Sequence, residues 1–149
     1  MNATKPFDLL LVEDNPQDLE LTLRALRKAK IANQIQVARD GAEALELIFG
    51  ADGKGPAAGA PLPQVVLLDL KLPKIDGLEV LRRIKGDART KAIPVVMLTS
   101  SREQQDVVES YHLGVNSYIV KPVDSERFVN AVRDLGVYWL LLNQPLSNL

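Results

Sequence analysis

The sequence predicts an α/β protein in which five parallel strands form a sheet doubly wound by helices. Five short apolar runs alternate along the chain with segments whose apolar residues recur at helical spacing. The third run, Val65 to Leu70, is nearly continuous rather than alternating, as in a strand buried on both faces. The segments between the runs have the length of βα crossovers.

In chain order, Phe7 to Val12 reads as the first strand. Asn15 or Asp14 can cap a first helix from Pro16 to about Lys30, with Leu19, Leu23, Leu26 and Ile31 as its apolar stripe. A second strand spans Ile35 to Ala38. A second helix then starts at Asp40 or Gly41 and carries Ala44, Leu45 and Ile48. Gly50 to Pro63, rich in glycine, alanine and proline, reads as a long surface loop, either a tolerated insertion or a contact for a partner. After the third strand, a turn-rich stretch from Lys71 to Gly77 leads into a third helix holding Leu78, Leu81 and Ile84. Val95 to Leu98 is the fourth strand, and a fourth helix follows Ser101 with Val107, Val108 and Tyr111. Ser117 to Val120 is the fifth strand. Asp124 or Ser125 caps a fifth helix running through Phe128, Val132 and Leu135 to about Leu141, with Gly136 as an interruption.

A chain of 149 residues, 46% hydrophobic and 25% charged, suits a single domain, 1–149, with a real core. With no cysteine, a disulfide, a thiol nucleophile and a cysteine-ligated metal are excluded. No apolar run reaches membrane-spanning length without a charge or proline, and the N-terminus has no signal-peptide pattern, so a cytoplasmic location is expected. The net charge is −1 and no basic tail is present, which argues against non-specific nucleic-acid binding.

In a doubly wound sheet, ligands bind beyond the carboxyl ends of the strands. Four strand ends supply polar groups there: Glu13 and Asp14, Asp69, Thr99, and Lys121. Asp69 interrupts an apolar run, where a carboxylate is costly unless paired or coordinated, and a carboxylate can accept a phosphoryl group as an acyl phosphate. Glu13, Asp14 and Asp69 offer oxygens to Mg²⁺ or Mn²⁺, with the backbone carbonyl of Lys71 as one more ligand. Lys121 would pair with Asp69 in the absence of metal and with phosphoryl oxygens afterwards, and Lys121–Pro122 is a candidate cis peptide. Thr99, with Ser100 nearby, offers a hydroxyl to a phosphoryl oxygen. Tyr118, three positions before Lys121, is a candidate reporter of the state of Thr99. The bland alternatives are a helix-capping Asp14, an exposed lysine before a turn and a half-buried edge aromatic. Lys71 and Lys74 either attract a phosphorylated donor or are simply solvated, and the lone His112 reads as an exposed polar residue.

The acidic pair Glu13–Asp14, the aspartate of VVLLDLKLPKIDG, the threonine of VVMLTS and the lysine of YIVKP together resemble the receiver domain of two-component response regulators, over about Phe7 to Leu135. The resemblance implies a flavodoxin-like sheet of strand order 2-1-3-4-5. It implies phosphorylation of Asp69 by a partner sensor histidine kinase with Mg²⁺, and self-dephosphorylation rather than dedicated enzymatic turnover. It also implies that Thr99 and Tyr118 couple the site to the face of the fourth helix, fifth strand and fifth helix. Ser100 stands where small residues such as alanine are common in that family. The chain looks like a stand-alone receiver. LLVEDNPQDLELTLRAL, the long loop before the third strand and YWLLLNQP are similar to the narrower group that works with phytochrome-type kinases. A histidine phosphotransfer protein is a further candidate partner.

Gly136 is followed by an apolar run that one sheet face does not absorb, so Val137, Tyr138, Trp139 and Leu141 in the 136–149 extension are candidate homodimer contacts, or fold back on their own domain. A flavodoxin-like electron carrier is disfavoured by the acidic EDNP loop after the first strand, where a flavin phosphate needs neutral amides, and two other functions compete. One is a receiver-like adaptor that never accepts phosphate. The other is an aspartyl-nucleophile phosphatase, for which the sequence offers no general acid and no substrate pocket.

Overall fold

Strand β3 (Val65–Asp69) is buried along its whole length. It occupies the centre of a five-stranded parallel sheet in a computed structural model that describes residues 7–30, 32–52 and 62–143. The other strands are β1 (Phe7–Val12), β2 (Ala32–Ala38), β4 (Val95–Thr99) and β5 (Ser117–Val120), and the order is β2-β1-β3-β4-β5. Helices α1 (Pro16–Ala29), α2 (Gly41–Phe49), α3 (Gly77–Lys85), α4 (Arg102–Ser110) and α5 (Ser125–Asn143) alternate with them.

Alternation along the strands divides the core into two layers. Leu9, Leu11, Val65, Leu67, Val96 and Leu98 pack with Leu19 and Leu26 of α1 and with Phe128 and Val132 of α5. Leu10, Val12, Val66, Leu68, Val95 and Met97 point the other way, to Leu45 and Ile48 of α2, Val80, Leu81 and Ile84 of α3, and Val108 of α4. Burial of both faces explains why these strands read as continuous apolar runs.

Each helix start has a side-chain cap that accepts otherwise unpaired backbone N–H groups. Asn15 Oδ1 accepts from Gln17 and Asp18, both at 2.9 Å. Asp40 caps α2 through Glu43 N at 2.7 Å, and Asp76 caps α3 through Glu79 N at 2.9 Å. Ser101 caps α4 through Gln104 N at 3.2 Å, and Asp124 caps α5 through Arg127 N at 2.8 Å. Where the sequence left two capping residues open, Asn15 and Asp124 are the ones used.

Three elements differ from the sequence reading. β2 starts at Ala32 rather than Ile35, because it is an edge strand that β1 holds by backbone pairing, so its polar residues are tolerated there. On α4 only Val108 is buried; Val107 is half exposed, and Tyr111 lies just past the helix end, equally exposed. α5 continues through Gly136 to Asn143 instead of breaking there. The side chains of Val137, Tyr138, Trp139 and Leu141 lie outside the described residues, as does most of the Gly50–Pro63 loop.

The sheet register gathers the strand ends. Val12 pairs with Leu68, Asp69 with Leu98, and Thr99 with Val120. The loop after β3 folds tightly over this edge: Gly77 N donates to Leu70 O at 3.0 Å. A Cβ on Gly77 would lie 2.3 Å from the backbone oxygen of Asp69 and 2.8 Å from that of Leu70. Only glycine fits this approach. Gly77→Ala is therefore expected to lower stability by about 1–3 kcal/mol, the usual cost of forced overpacking against backbone, as read from the urea midpoint.

Candidate functional site

Residues from two strand ends and one helix converge on the ammonium of Lys121, which itself follows a third strand. Glu13 prolongs β1 by donating its N–H to Ala38 O at 3.0 Å, which fixes its side chain in a fully buried position. Its Oε2 accepts the Asn15 N–H at 3.1 Å, and its Oε1 makes an ion pair with Lys121 Nζ at 2.8 Å. Asp69 ends β3 and is 6% exposed. Asp69 Oδ1 accepts the Lys71 N–H at 3.3 Å, and Oδ2 accepts from Lys121 Nζ at 3.0 Å. Lys121 is anchored by its own N–H to Thr99 O at 2.8 Å, and the Lys121–Pro122 bond is cis. Its third carboxylate is Asp18 Oδ2 at 3.0 Å, in the first turn of α1.

Burial dominates the electrostatics. Glu13 is pushed up from 4.5 to about 7, first by its removal from water and then by the neighbouring Asp69, with Lys121 acting in the opposite direction. For Lys121, burial opposes the charge, but Glu13, Asp69 and Asp18 overcome it and raise the ammonium above its ordinary value.

Asp14 is exposed beside this buried cluster. One oxygen each from Glu13, Asp14 and Asp69 lies within 4.8 Å of the others. Three carboxylate oxygens at this spacing fit a hard divalent cation that keeps several waters. Asp14 and Lys71 line a shallow groove at the same edge with Leu72, Pro73 and Asp76. Thr99, one residue beyond the partner of Asp69 in the sheet, is 1% exposed. Its Oγ1 has no hydrogen-bond partner among the described residues. A buried hydroxyl left in this state costs about 1–3 kcal/mol.

The structure thus brings together Glu13, Asp14, Asp69 and Lys121, with Thr99 at the adjoining strand end. Tyr118 is half-buried on β5, in a groove between α4 and α5 also lined by Gln105 and by the exposed Arg102, Arg127 and Asn130. Burial and the charge of Glu109 raise its phenol above the usual range. Lys74 pairs with Asp40 at 3.3 Å, and His112 is exposed past the end of α4. Asp18 was not among the residues singled out from sequence. Its signal was present but unspecific, since an acidic residue three positions after a helix cap is ordinary.

Residues 9–133 of the chain are matched by a family model described as a response regulator receiver domain. The chain belongs to that family. Among curated relatives, the probable methanogenesis regulatory protein FilR2 of Methanothrix harundinacea is 42% identical, covering 97% of this chain and 90% of the relative. The response regulator Rcp1 of Synechocystis is 38% identical, covering 93% of this chain and 92% of Rcp1. Of the solved structures, the bacteriophytochrome response regulator AtBRR is 55% identical with a TM-score of 0.78, covering 94% of this chain and 99% of that one. The phosphorylated cyanobacterial phytochrome response regulator RcpA is 37% identical with a TM-score of 0.69, covering 93% and 97%. Rcp1 itself has been solved in a Mn²⁺-bound form, with a TM-score of 0.67 over 91% of this chain and 95% of that one. This chain is therefore a receiver-domain response regulator of two-component systems, related to the phytochrome response regulators. Receiver domains are signalling proteins that bind a divalent metal, and the acidic cluster of this chain fits one. Among the described residues no helix is long and apolar enough to cross a membrane.

The raised Glu13 gives a pH signature in metal-free receiver. Protonation of Glu13 contributes stability that is fully present below about 4.5 and is lost as the pH rises through about 7. The urea midpoint is expected to fall across that window in wild type. In Glu13→Gln this part of the slope disappears, and a slope unchanged by the substitution contradicts the assignment.

Proposed function

We propose that this receiver takes a phosphoryl group from a phosphohistidine of a sensor histidine kinase onto Asp69 and signals by a change in its surface. One observation carries the reading: Lys121 bridges the buried Asp69 and Glu13 at 3.0 and 2.8 Å. The buried, unpartnered Thr99 hydroxyl at the next strand end adds support. A carboxylate, a mobile cation and an idle donor are what an acyl phosphate needs.

In the transfer, an Asp69 carboxylate oxygen forms a bond to phosphorus as the phosphorus–nitrogen bond of the donor breaks. The imidazole leaves with that electron pair and is protonated by solvent. Lys121 follows the charge from the Asp69 carboxylate to the phosphoryl oxygens, and the Thr99 hydroxyl donates to another of them. Mg²⁺ or Mn²⁺, held by Asp14, Asp69, Glu13 (directly or through water) and the Lys71 carbonyl, would neutralise charge on the phosphoryl oxygens. Water attack at phosphorus regenerates the Asp69 carboxylate and releases phosphate. The receiver thus resets itself without being a dedicated enzyme.

Movement of Thr99 is read out through Tyr118 at the face of α4, β5 and α5, as a population shift between two states. The half-buried position of Tyr118 and its exposed polar neighbours support this route. The kinase is of the phytochrome type, a reading favoured by the 55% identity to AtBRR over the 42% identity to FilR2. A histidine phosphotransfer protein is a second candidate partner. The apolar run of α5 with Val137, Tyr138, Trp139 and Leu141 is proposed as a homodimer contact, and the setting as the cytoplasm.

The test is incubation with acetyl phosphate and Mg²⁺, followed by intact mass and light scattering. A labile phosphoryl adduct is expected on wild type and absent from Asp69→Asn and from metal-free samples. A dimer mass is expected in at least the phosphorylated state. The absence of an adduct on wild type would leave an adaptor that does not accept phosphate.

A further inference from the structure

The ammonium of Lys121 has one more partner than the transfer described above uses. Glu13 and Asp69 are buried, and they hold Lys121 Nζ from the interior at 2.8 and 3.0 Å. Asp18 holds the same nitrogen at 3.0 Å, and its side chain is 38% exposed while that of Lys121 is 17% exposed. Asp18 therefore covers the solvent side of the cation. Its position is fixed: the Asp18 N–H is bound by the Asn15 cap at 2.9 Å, and Asn15 N–H is in turn bound to Glu13 Oε2 at 3.1 Å. The turn from β1 into α1 is thus stitched to the acidic pair and carries Asp18 to Lys121.

Three carboxylates, those of Glu13, Asp18 and Asp69, share one ammonium, and Asp14 lies beside Glu13 and Asp69. The three donor protons of a lysine ammonium are matched by the three carboxylates that contact it. When Asp69 carries a phosphoryl group, its contact with Lys121 passes to a phosphoryl oxygen, and an ammonium that moves toward those oxygens must loosen its hold on Glu13 or on Asp18. Glu13 is fully buried, and leaving it without its cation is costly. Asp18 reaches water, which solvates its carboxylate at little cost once the ammonium has moved.

Resting on the phospho-receiver reading, we propose that Asp18 is a positioning residue that holds Lys121 in the resting state and competes with the phosphoryl oxygens for it. Asp18 thereby weakens the hold of the site on a phosphoryl group and shortens its lifetime there. Asp18 touches neither the reacting atoms nor the metal ligands' own bonds; it acts through Lys121. A receiver with this third partner resets sooner than one without it. Because Asp18 lies on the exposed first turn of α1, a docked protein that draws the carboxylate away would free Lys121 at the moment of transfer.

The test uses beryllofluoride with Mg²⁺ as a stable phosphoryl mimic, titrated by ¹⁹F NMR into wild type, Asp18→Asn, Asp18→Glu and Glu20→Gln. Asp18→Asn keeps the size of the side chain and removes the charge. It is expected to bind beryllofluoride about two- to fivefold more tightly, the size of a partly exposed charge pair, and to lose its acetyl-phosphate-derived phosphoryl group more slowly by the same factor. Asp18→Glu, which restores a carboxylate on the same turn, is expected to return towards wild type. Glu20→Gln removes an α1 charge paired with Arg24 at 3.5 Å, remote from Lys121, and is expected to change nothing. Equal affinities for wild type and Asp18→Asn overturn this inference alone, as does an equal gain in Glu20→Gln, which would reduce the effect to net charge. No beryllofluoride binding by any of the four proteins removes the phospho-receiver reading together with it.

Discussion

A single ammonium inside a nest of carboxylates is the interaction on which the rest of this site depends. Glu13 follows the apolar run of β1 and Asp69 ends the apolar run of β3, and both acids are buried. Removing an ionised carboxylate from water is expensive, and removing two beside each other more so. Lys121 crosses from a third strand end to neutralise them, and Glu13 still titrates near neutrality despite that help. The acids remain held in an arrangement that favours any second cation or any added donor. Burial, not hydrogen-bond geometry, keeps the site ready to respond.

The fold supplies this arrangement through register. Parallel pairing of β1, β3, β4 and β5 aligns the strand ends, so polar residues that follow apolar runs meet at one edge. The close passage of Gly77 over Asp69 and Leu70 brings the β3–α3 loop against the acidic cluster, where Lys71 donates its N–H to Asp69. On the opposite side, the Asn15 cap ties α1 to Glu13 and carries Asp18 to the lysine. Helix caps and one glycine contact therefore do more than stop and start elements. They set the distances among charged groups that lie far apart in sequence.

Much of this was legible in the sequence because it rests on short-range patterns. Apolar runs marked β1, β3 and β4, and Asp40 and Ser101 marked helix starts, whereas Asp76 emerges as the cap of α3 only in the structure. Asp69 stood out because a charge inside VVLLDL demands a partner. What was not legible depended on packing. β2 extends further than its apolar residues because β1 templates it. Tyr111 and Val107 looked like core and are exposed, since α4 turns only Val108 to the sheet. The end of α5 near Leu141 was legible, but Gly136 does not interrupt it, because one glycine weakens a helix without breaking it. Asp18 was overlooked because its partner is 103 residues away, a distance no local pattern encodes.

The account holds that the lysine and a divalent metal are alternative counterions for the same buried acids. The most direct test is the unfolding free energy of Lys121→Met against wild type, with and without Mg²⁺. Without metal, the substitution leaves buried carboxylates uncompensated, and a loss of about 3–5 kcal/mol is predicted. Mg²⁺ should then stabilise the variant more than it stabilises wild type. A metal-free Lys121→Met protein as stable as wild type, or one to which Mg²⁺ gives no greater stabilisation, would contradict the claim that charge neutralisation of Glu13 and Asp69 governs this site.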